Sequence, residues 1–482
     1  MDYSGIKALV MGLGLHGGGL ESARFLLKRG AAVTVTDLRD ENILKPSMEQ
    51  LDKICREMGK PPVRYILGKH EIDDFKNSDI VIKNPGVRPD SPYLQVSKRL
   101  ETDLSLFLYE SPAKLFAVTG TKGKSGTSSA LFWILNSARK KGKAYLGGNI
   151  TVSPLTFLDE LTKDDDVVLE LSSFQLGDVK NHIDANGNAL LKPAVSILTS
   201  IMHDHLDRYS SMEEYIDDKR NIYRGQDSSC ITVAGNDDWG KSFITETKGR
   251  PVIWSHHELN KGQSGGWIDS NGCGLARLYN FAGVSEEITE LVPQKVLTPG
   301  VHQKLNMLCA ALGVYSTGLE AQTIRSALSS YSGIEHRLEL FHESGGIHFY
   351  NDSAATIPEA AAACIDALTE SPQGSSLVLV TGGTDKNLDF SPLVKNAKKA
   401  KFIVLLSGSG SDKLSKMLGE NGIDYSGPFD NLDEAVRCAI EKASYGACNV
   451  ALSPGCASFG MFLNEFDRGR KWKEAVKRLS MN

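Results

Sequence analysis

Residues 115–135 constrain the fold more than any other stretch. Leu115-Phe116-Ala117-Val118 is a short apolar run that reads as a buried strand. The loop Thr119-Gly120-Thr121-Lys122-Gly123-Lys124-Ser125-Gly126-Thr127 follows, and Ala130-Leu131-Phe132-Trp133-Ile134-Leu135 reads as helix. Strand, Gly/Lys loop and helix in that order are the context a nucleotide-binding P-loop needs. Loop N–H groups and a helix N-terminus direct partial positive charge at an anion. Lys124 adds a full charge for terminal phosphates, and the Ser125 hydroxyl suits a Mg²⁺ ion bridging them. The strict spacing G-x-x-x-x-G-K-[ST] fails, because Val118 stands where the first glycine belongs; Gly120 makes a shorter T-G-x-x-G-K-S loop. A chance Gly-rich turn is the competing reading, and the flanking strand and helix favour ATP, held by Gly120 through Thr127.

A chain of 482 residues is too long for one core, and three domains are expected. The net charge of −5 argues against a nucleic-acid binder. Eight cysteines are scattered with no C-x-x-C pair, which fits reduced thiols better than a disulfide framework or zinc knuckle. Met1-Asp2-Tyr3-Ser4 offers neither a basic nor an apolar leader, and no apolar run approaches the roughly 20 residues of a membrane span. A cytoplasmic location is expected.

Three segments are expected: 1–112, 113–332 and 333–482. The first opens with the strand-like Lys7-Ala8-Leu9-Val10-Met11, then Gly12-Leu13-Gly14-Leu15-His16-Gly17, a helix to about Arg29, and a strand from Ala32 ending at Asp37. That is a G-x-G-x-x-G fingerprint with an acidic residue after the next strand, so NAD is its direct reading. A further strand, Asp79-Ile80-Val81-Ile82-Lys83, leads into Asn84-Pro85-Gly86-Val87. In the middle segment strands are expected at Asp166–Leu171 and Ala194–Thr199, and a helix from Thr298-Pro299-Gly300 onward. The Gly-rich 255–283 stretch reads as exposed loop or short β structure. The last segment alternates again, with strands at Ile347–Tyr350, Leu377–Val380, Phe402–Leu406 and Val450–Leu452.

Glu170 ends a buried strand, where a carboxylate is costly unless paired or bound to metal, and near a P-loop it would serve Mg²⁺. His203-Asp204-His205-Leu206-Asp207 looks like a metal array, and hydrolase chemistry is a competing idea. No further His/Asp cluster of hydrolase spacing follows downstream. Lys219, in Asp217-Asp218-Lys219-Arg220, reads by its charged neighbours as an ordinary surface lysine.

Taken together, TGTKGKS, ELSSFQL and HDHLDRY followed by Lys219 resemble the Mur ligases of peptidoglycan synthesis, in order and spacing most like the D-glutamate-adding branch. Gly300-Val301-His302 with Asn306, Glu335-His336-Arg337, Asn351-Asp352-Ser353 and Leu452-Ser453-Pro454-Gly455-Cys456-Ala457-Ser458-Phe459 agree, so the resemblance covers Gly12 to about Gly469. It implies an α/β protein of three domains. A Rossmann-like UDP-binding domain comes first, then a central P-loop ATPase domain with a mostly parallel sheet, then a C-terminal Rossmann-like α/β domain for the incoming amino acid.

The resemblance replaces NAD by a UDP-sugar, with Leu15, His16, Asp37 and Arg39 on the uridine and pyrophosphate. Asn84, Asn149, Ser172, Gln175 and His205 would follow the sugar and its alanine. Asn306, Arg337 and Asp352 would join the P-loop on ATP. Thr356, Lys386, Ser458 and Phe459 would hold D-glutamate. Ser125, Glu170, His205 and Lys219, the last carbamylated by CO₂, would hold Mg²⁺. Lys124, Glu170, His205, Lys219 and Arg337 would carry the catalysis. The implied partners are small molecules alone (ATP, D-glutamate, UDP-N-acetylmuramoyl-L-alanine), without nucleic acid or membrane span, on a monomer.

Gln303 replaces a usual asparagine, Lys122 a common one in the loop, and Ala354 the lysine many D-glutamate-adding members carry. Asp352-Ser353-Ala354-Ala355-Thr356 also echoes sister ligases, while their D-N-P-R motif is absent. Folylpolyglutamate synthase shares the P-loop logic but lacks the segment from Gly12 to Asn84. A nucleotide-dependent regulatory protein without turnover is the reading from another class, and intact Lys124, Glu170, His205 and Lys219 oppose it.

Overall fold

A computed structural model describes residues 1–482 apart from 15–16, 150–151, 206–207, 299, 370–375, 444–447 and 481–482. Three sheets organise the described residues. The first has the strand order Arg64–Leu67, Ala32–Asp37, Lys7–Met11, Ile80–Lys83, Leu100–Glu101, and every pair is parallel. Ala8 to Met11 are all buried, as a strand covered by helices on both faces requires.

The second sheet runs Thr289–Val292, Gly274–Arg277, Gly265–Ile268, Arg250–Ser255, Ile231–Gly235, Val195–Leu198, Lys114–Thr119, Asp166–Glu170, Ala144–Gly148. Only the pairs at its Gly265–Val292 end are antiparallel. Of the two readings of 255–283, exposed loop or short β structure, the second holds: the stretch contributes two paired four-residue strands with Trp267 and Ala276 buried. Periodicity is weak there because glycines fill packed positions. A Cβ on Gly265 would lie 2.0 Å from the Ile253 carbonyl oxygen.

The third sheet has the order Glu339–Ser344, Ile347–Asn351, Cys448–Leu452, Ser376–Thr381, Phe402–Leu406, Tyr425–Phe429, with only the first pair antiparallel. Expected strands form within a residue or two of their predicted bounds, and the helix expected from Thr298 begins at Val301 and runs to Tyr315.

The chain packs as two compact units, Met1–Val292 with Asn306–Ala327, and Pro293–Leu305 with Leu328–Asn482. In the first unit one hydrophobic core runs from the first sheet into the second, and the edge-to-face pair Phe107 and Phe157 belongs to it. The second unit buries Leu377, Leu379 and Ile403 on one sheet face and Val378, Val380 and Val404 on the other. Among the described residues no helix is long and apolar enough to cross a membrane.

Candidate active site

The strand Lys114–Thr119 delivers the chain into the P-loop, and the end of the neighbouring strand Val195–Leu198 braces that loop. Thr199 Oγ1 donates to the Lys122 carbonyl at 2.6 Å and lies 3.1 Å from that of Thr119. Thr121 N donates to the Ser200 carbonyl at 2.8 Å. Gly120, at φ 145°, passes so close to Thr199 that a Cβ would sit 1.9 Å from its hydroxyl oxygen. Gly123 takes the left-handed conformation and opens the helix Lys124–Ala138 without a side-chain cap. The first-turn N–H groups therefore face outward as an anion cradle. Asn306 lies against this turn, since Cβ atoms on Gly123 and Gly126 would meet its amide at 2.6 and 2.4 Å.

Two lysines converge on one carbonyl. Lys124 Nζ donates to Gly120 O and Thr121 O, each at 2.9 Å. Lys219 Nζ, from the helix Met212–Arg224, also donates to Gly120 O at 2.9 Å and approaches Thr119 Oγ1 at 3.5 Å. Lys219 is 1% exposed, so the surface reading of this residue is wrong. Its helix turns Tyr215, Ile216 and Lys219 inward and Glu213 and Glu214 outward. Burial, reinforced by the Lys124 charge, pushes the amine well below the ordinary lysine range.

Glu170 is 1% exposed at the end of its strand, paired in register with Val118. Asn149 Nδ2 donates to its Oε1 at 2.9 Å and Ser128 Oγ to its Oε2 at 3.4 Å. Asn149 and Glu170 are thus brought together, and Ser128 joins them although its place in a plain helical run gave no signal. Ser172 and Gln175 form a reciprocal helix cap, with Ser172 N donating to Gln175 Oε1 and Gln175 N to Ser172 Oγ. His205 is exposed at φ 55°, its ring 4.9 Å from that of Phe174. His203 is exposed, and Asp207 of the expected metal array lies outside the described residues.

On the first sheet, Asp37 is buried and accepts from Gly14 N at 3.3 Å and Arg39 N at 3.0 Å, while the Arg39 side chain is exposed. Asn84 Oδ1 accepts from Gly86 N at 3.0 Å. A cavity of about 30 Å³ between Gly12, Gly19, Lys83, Asn84 and Asp103 joins the two strand ends. Leu15 and His16 lie outside the described residues.

The second unit holds the other candidates. Arg337 is exposed between two left-handed residues, His336 and Leu338. Glu339 accepts from His336 N at 3.0 Å, and Asp352 accepts from Leu338 N at 3.1 Å and from Ser453 Oγ at 2.6 Å. Burial pushes Asp352 up to about 7. Oδ1 thus serves this turn and Oδ2 the segment after the strand Cys448–Leu452. Glu335, His336 and Glu339 lie close enough to share a cation, but Lys473 Nζ already bonds both carboxylates.

Ala457 exchanges backbone hydrogen bonds with Thr384, which ties the loop of exposed Lys386 to that of buried Ser458 and exposed Phe459; Thr356 is half-buried. Sequence reasoning missed Arg468. Its guanidinium is buried, donates to Ser353 Oγ, Ser353 O and Cys456 O, and is lowered by burial to about 10. Nothing in the charged helix Glu465–Leu479 distinguishes this arginine from its neighbours.

Fold and site define a P-loop α/β protein in which a loop lysine, a second buried lysine and a buried glutamate surround a phosphate cradle. Three family models match in succession: the Mur ligase MurD-like N-terminal domain at 6–104, the Mur ligase middle domain at 118–314, and the Mur ligase glutamate ligase domain at 336–454. The chain is 36% identical to the UDP-N-acetylmuramoylalanine–D-glutamate ligase of Treponema pallidum (strain Nichols) over 98% of both chains. It is 38% identical to that of Borreliella burgdorferi (strain ZS7) over 99% of both. Among solved structures, Acinetobacter baumannii MurF superposes with a TM-score of 0.58 at 13% identity, covering 98% of this chain and 94% of that one. The Thermotoga maritima UDP-N-acetylmuramate-alanine ligase MurC gives 0.57 at 20%, covering 98% and 99%. The chain belongs to the Mur ligase family.

Proposed function

We propose that this protein is an ATP-dependent amide ligase that joins D-glutamate to UDP-N-acetylmuramoyl-L-alanine in peptidoglycan precursor synthesis. The full-length likeness to relatives named for that reaction carries the substrate pair. The observation that carries the chemistry is Lys219, buried on the P-loop carbonyl with Lys124 and without a carboxylate in hydrogen-bond reach among the described residues.

A bare carboxylate is a poor acyl donor. Moving the γ-phosphoryl of ATP onto the alanine carboxylate makes its oxygen a leaving group. The D-glutamate amine then attacks the acyl carbon, a tetrahedral intermediate forms, and phosphate departs as the amide closes. Two anions must approach each other, so most of the catalysis is electrostatic. The P-loop N–H groups and Lys124 would hold the β- and γ-phosphates, with Asn306 and Asp352 on the adenosine and Arg337 on the phosphates.

Ser125, Glu170, His205 and Lys219 would hold Mg²⁺, which neutralises phosphate charge when bound. The buried Glu170 carboxylate, with only amide and hydroxyl partners among the described residues, fits a divalent cation. Lys219 fits only as its CO₂ carbamate, because an ammonium repels the ion. Asp37, Arg39, Leu15 and His16 would take the uridine diphosphate, with Asn84, Asn149, Ser172, Gln175 and His205 along the sugar and alanine. Thr356, Lys386, Ser458 and Phe459 would take D-glutamate. The segments 1–112, 113–332 and 333–482 would then serve UDP-sugar, ATP and amino acid in turn, in a cytoplasmic monomer.

The test is phosphate release from ATP with UDP-N-acetylmuramoyl-L-alanine, offering D-glutamate, L-glutamate, L-lysine and diaminopimelate separately. Release with D-glutamate alone is expected. Release with another amino acid would overturn the substrate, and Ala354 is where its specificity would differ. No release with any would overturn the reaction.

A further inference from the structure

We propose that Arg208 is a positioning residue that fastens the loop carrying Asn84 to the turn carrying His205, so that the sugar and phosphate ends of the site are set together. The roles of Asn84 and His205 rest on the function proposed above; the fastening itself rests on geometry.

The Arg208 guanidinium donates through Nη1 to the Gly86 carbonyl and through Nη2 to the Val87 carbonyl, both at 3.2 Å. Its plane lies 3.7 Å from the centroid of the Phe174 ring, against which the His205 ring also packs. Arg208 N donates to the His205 carbonyl at 3.0 Å, and Tyr209 N to the same oxygen at 3.1 Å. One residue therefore holds His205 by backbone, shares its aromatic support, and grips two successive carbonyls of another sheet. His205 needs such holding, since a left-handed conformation is strained for a non-glycine residue.

The gripped loop is itself closed on Asn84, whose side-chain oxygen accepts from Gly86 N and whose carbonyl accepts from Val87 N. The preceding residue is fastened to the same helix as Phe174. Lys83 Nζ contacts both oxygens of Asp178 at 2.6 and 2.8 Å, with both side chains less than a tenth exposed.

The rival role for Arg208 is as a charge near Asp178 and Lys83. Lysine keeps the charge but lacks the rigid planar fork and the flat face that lies over Phe174, so it separates the two.

Arg208→Lys and Arg208→Ala are compared with the wild type in steady-state kinetics. Both are expected to raise the KM for UDP-N-acetylmuramoyl-L-alanine and the half-saturating Mg²⁺ concentration about tenfold, with KM for D-glutamate within about twofold. A lysine variant that behaves as wild type, or a uniform loss tracking a lowered Tm, overturns the proposal. Hydrogen–deuterium exchange on the ligand-free protein is the second arm. Peptides carrying Asn84–Val87 and His205 should exchange at least about tenfold faster in Arg208→Lys, and the P-loop helix should not. Unchanged exchange overturns the proposal. Should the wild type release no phosphate, the function reading fails while the exchange arm still decides this one.

Discussion

Lys219 shows how far a residue's environment can depart from its local sequence. Its neighbours Asp217, Asp218 and Arg220 make the stretch read as a solvated face, and only the packing of its helix beneath the P-loop brings Nζ to Gly120 O. A buried amine is a liability: it loses hydration, and no ion pair among the described residues returns it. Its retention makes sense if the group works. Lys219→Met keeps the stem volume and removes the buried polar head, so Tm should stay level or rise while kcat falls at least about a hundredfold and ATP affinity changes less than about threefold. Calorimetry and initial rates on the same preparation check both halves. A fall in Tm would make the lysine a structural member, and equal losses in kcat and ATP affinity would undo its catalytic assignment.

Elements were more legible than side-chain partners. The strand–loop–helix around Gly120 was readable because its residue types are dictated by backbone geometry within a dozen positions, and the same holds for the strand ends at Met11 and Lys83. The caps were not: Ser172 and Gln175 carry the spacing of a capping box, yet a role toward substrate was assigned to them first. Strands such as Ile231–Gly235 and Ala144–Gly148 went unread because burial on both faces removes alternation and glycine blurs hydrophobic runs. Arg208 and Arg468 carry no sequence signal as fasteners because their partners, Gly86 and Val87 for one and Ser353 for the other, are more than a hundred positions away. At the P-loop the element predicts its own fragility. Gly120→Ala adds a Cβ at φ 145°, against the Thr199 hydroxyl that organises the loop, so the cradle should distort. ATP affinity is expected to fall at least about tenfold by titration calorimetry. An unchanged Kd would mean the loop does not set the phosphate site.

At the scale of the molecule, three sheets do not make three cores. The apolar cluster that includes Val10 and Leu26 in the first sheet's layers continues through Phe107 and Leu155 to Leu169 and Phe243 in the second's. Ion pairs cross the same junction: Lys83 to Asp178, His182 to Glu101, and Arg29 to Asp159. Both members of the Lys83–Asp178 pair are buried at this junction, so replacing one alone would leave an uncompensated buried charge at a cost of about 3–5 kcal/mol. The C-terminal sheet has apolar clusters of its own on both faces. Scanning calorimetry should therefore resolve two transitions rather than three. Unfolding enthalpy scales with chain length, so the larger transition should carry roughly twice the enthalpy of the smaller. A ligand bound only to the folded first unit, at a hundred times its Kd, adds about 2.7 kcal/mol. UDP-N-acetylmuramoyl-L-alanine should thus raise the larger transition as one cooperative event and leave its shape two-state. If the sugar nucleotide instead split that transition, shifting one part and not the other, the first and second sheets would be separate folding units and the shared core would not couple them.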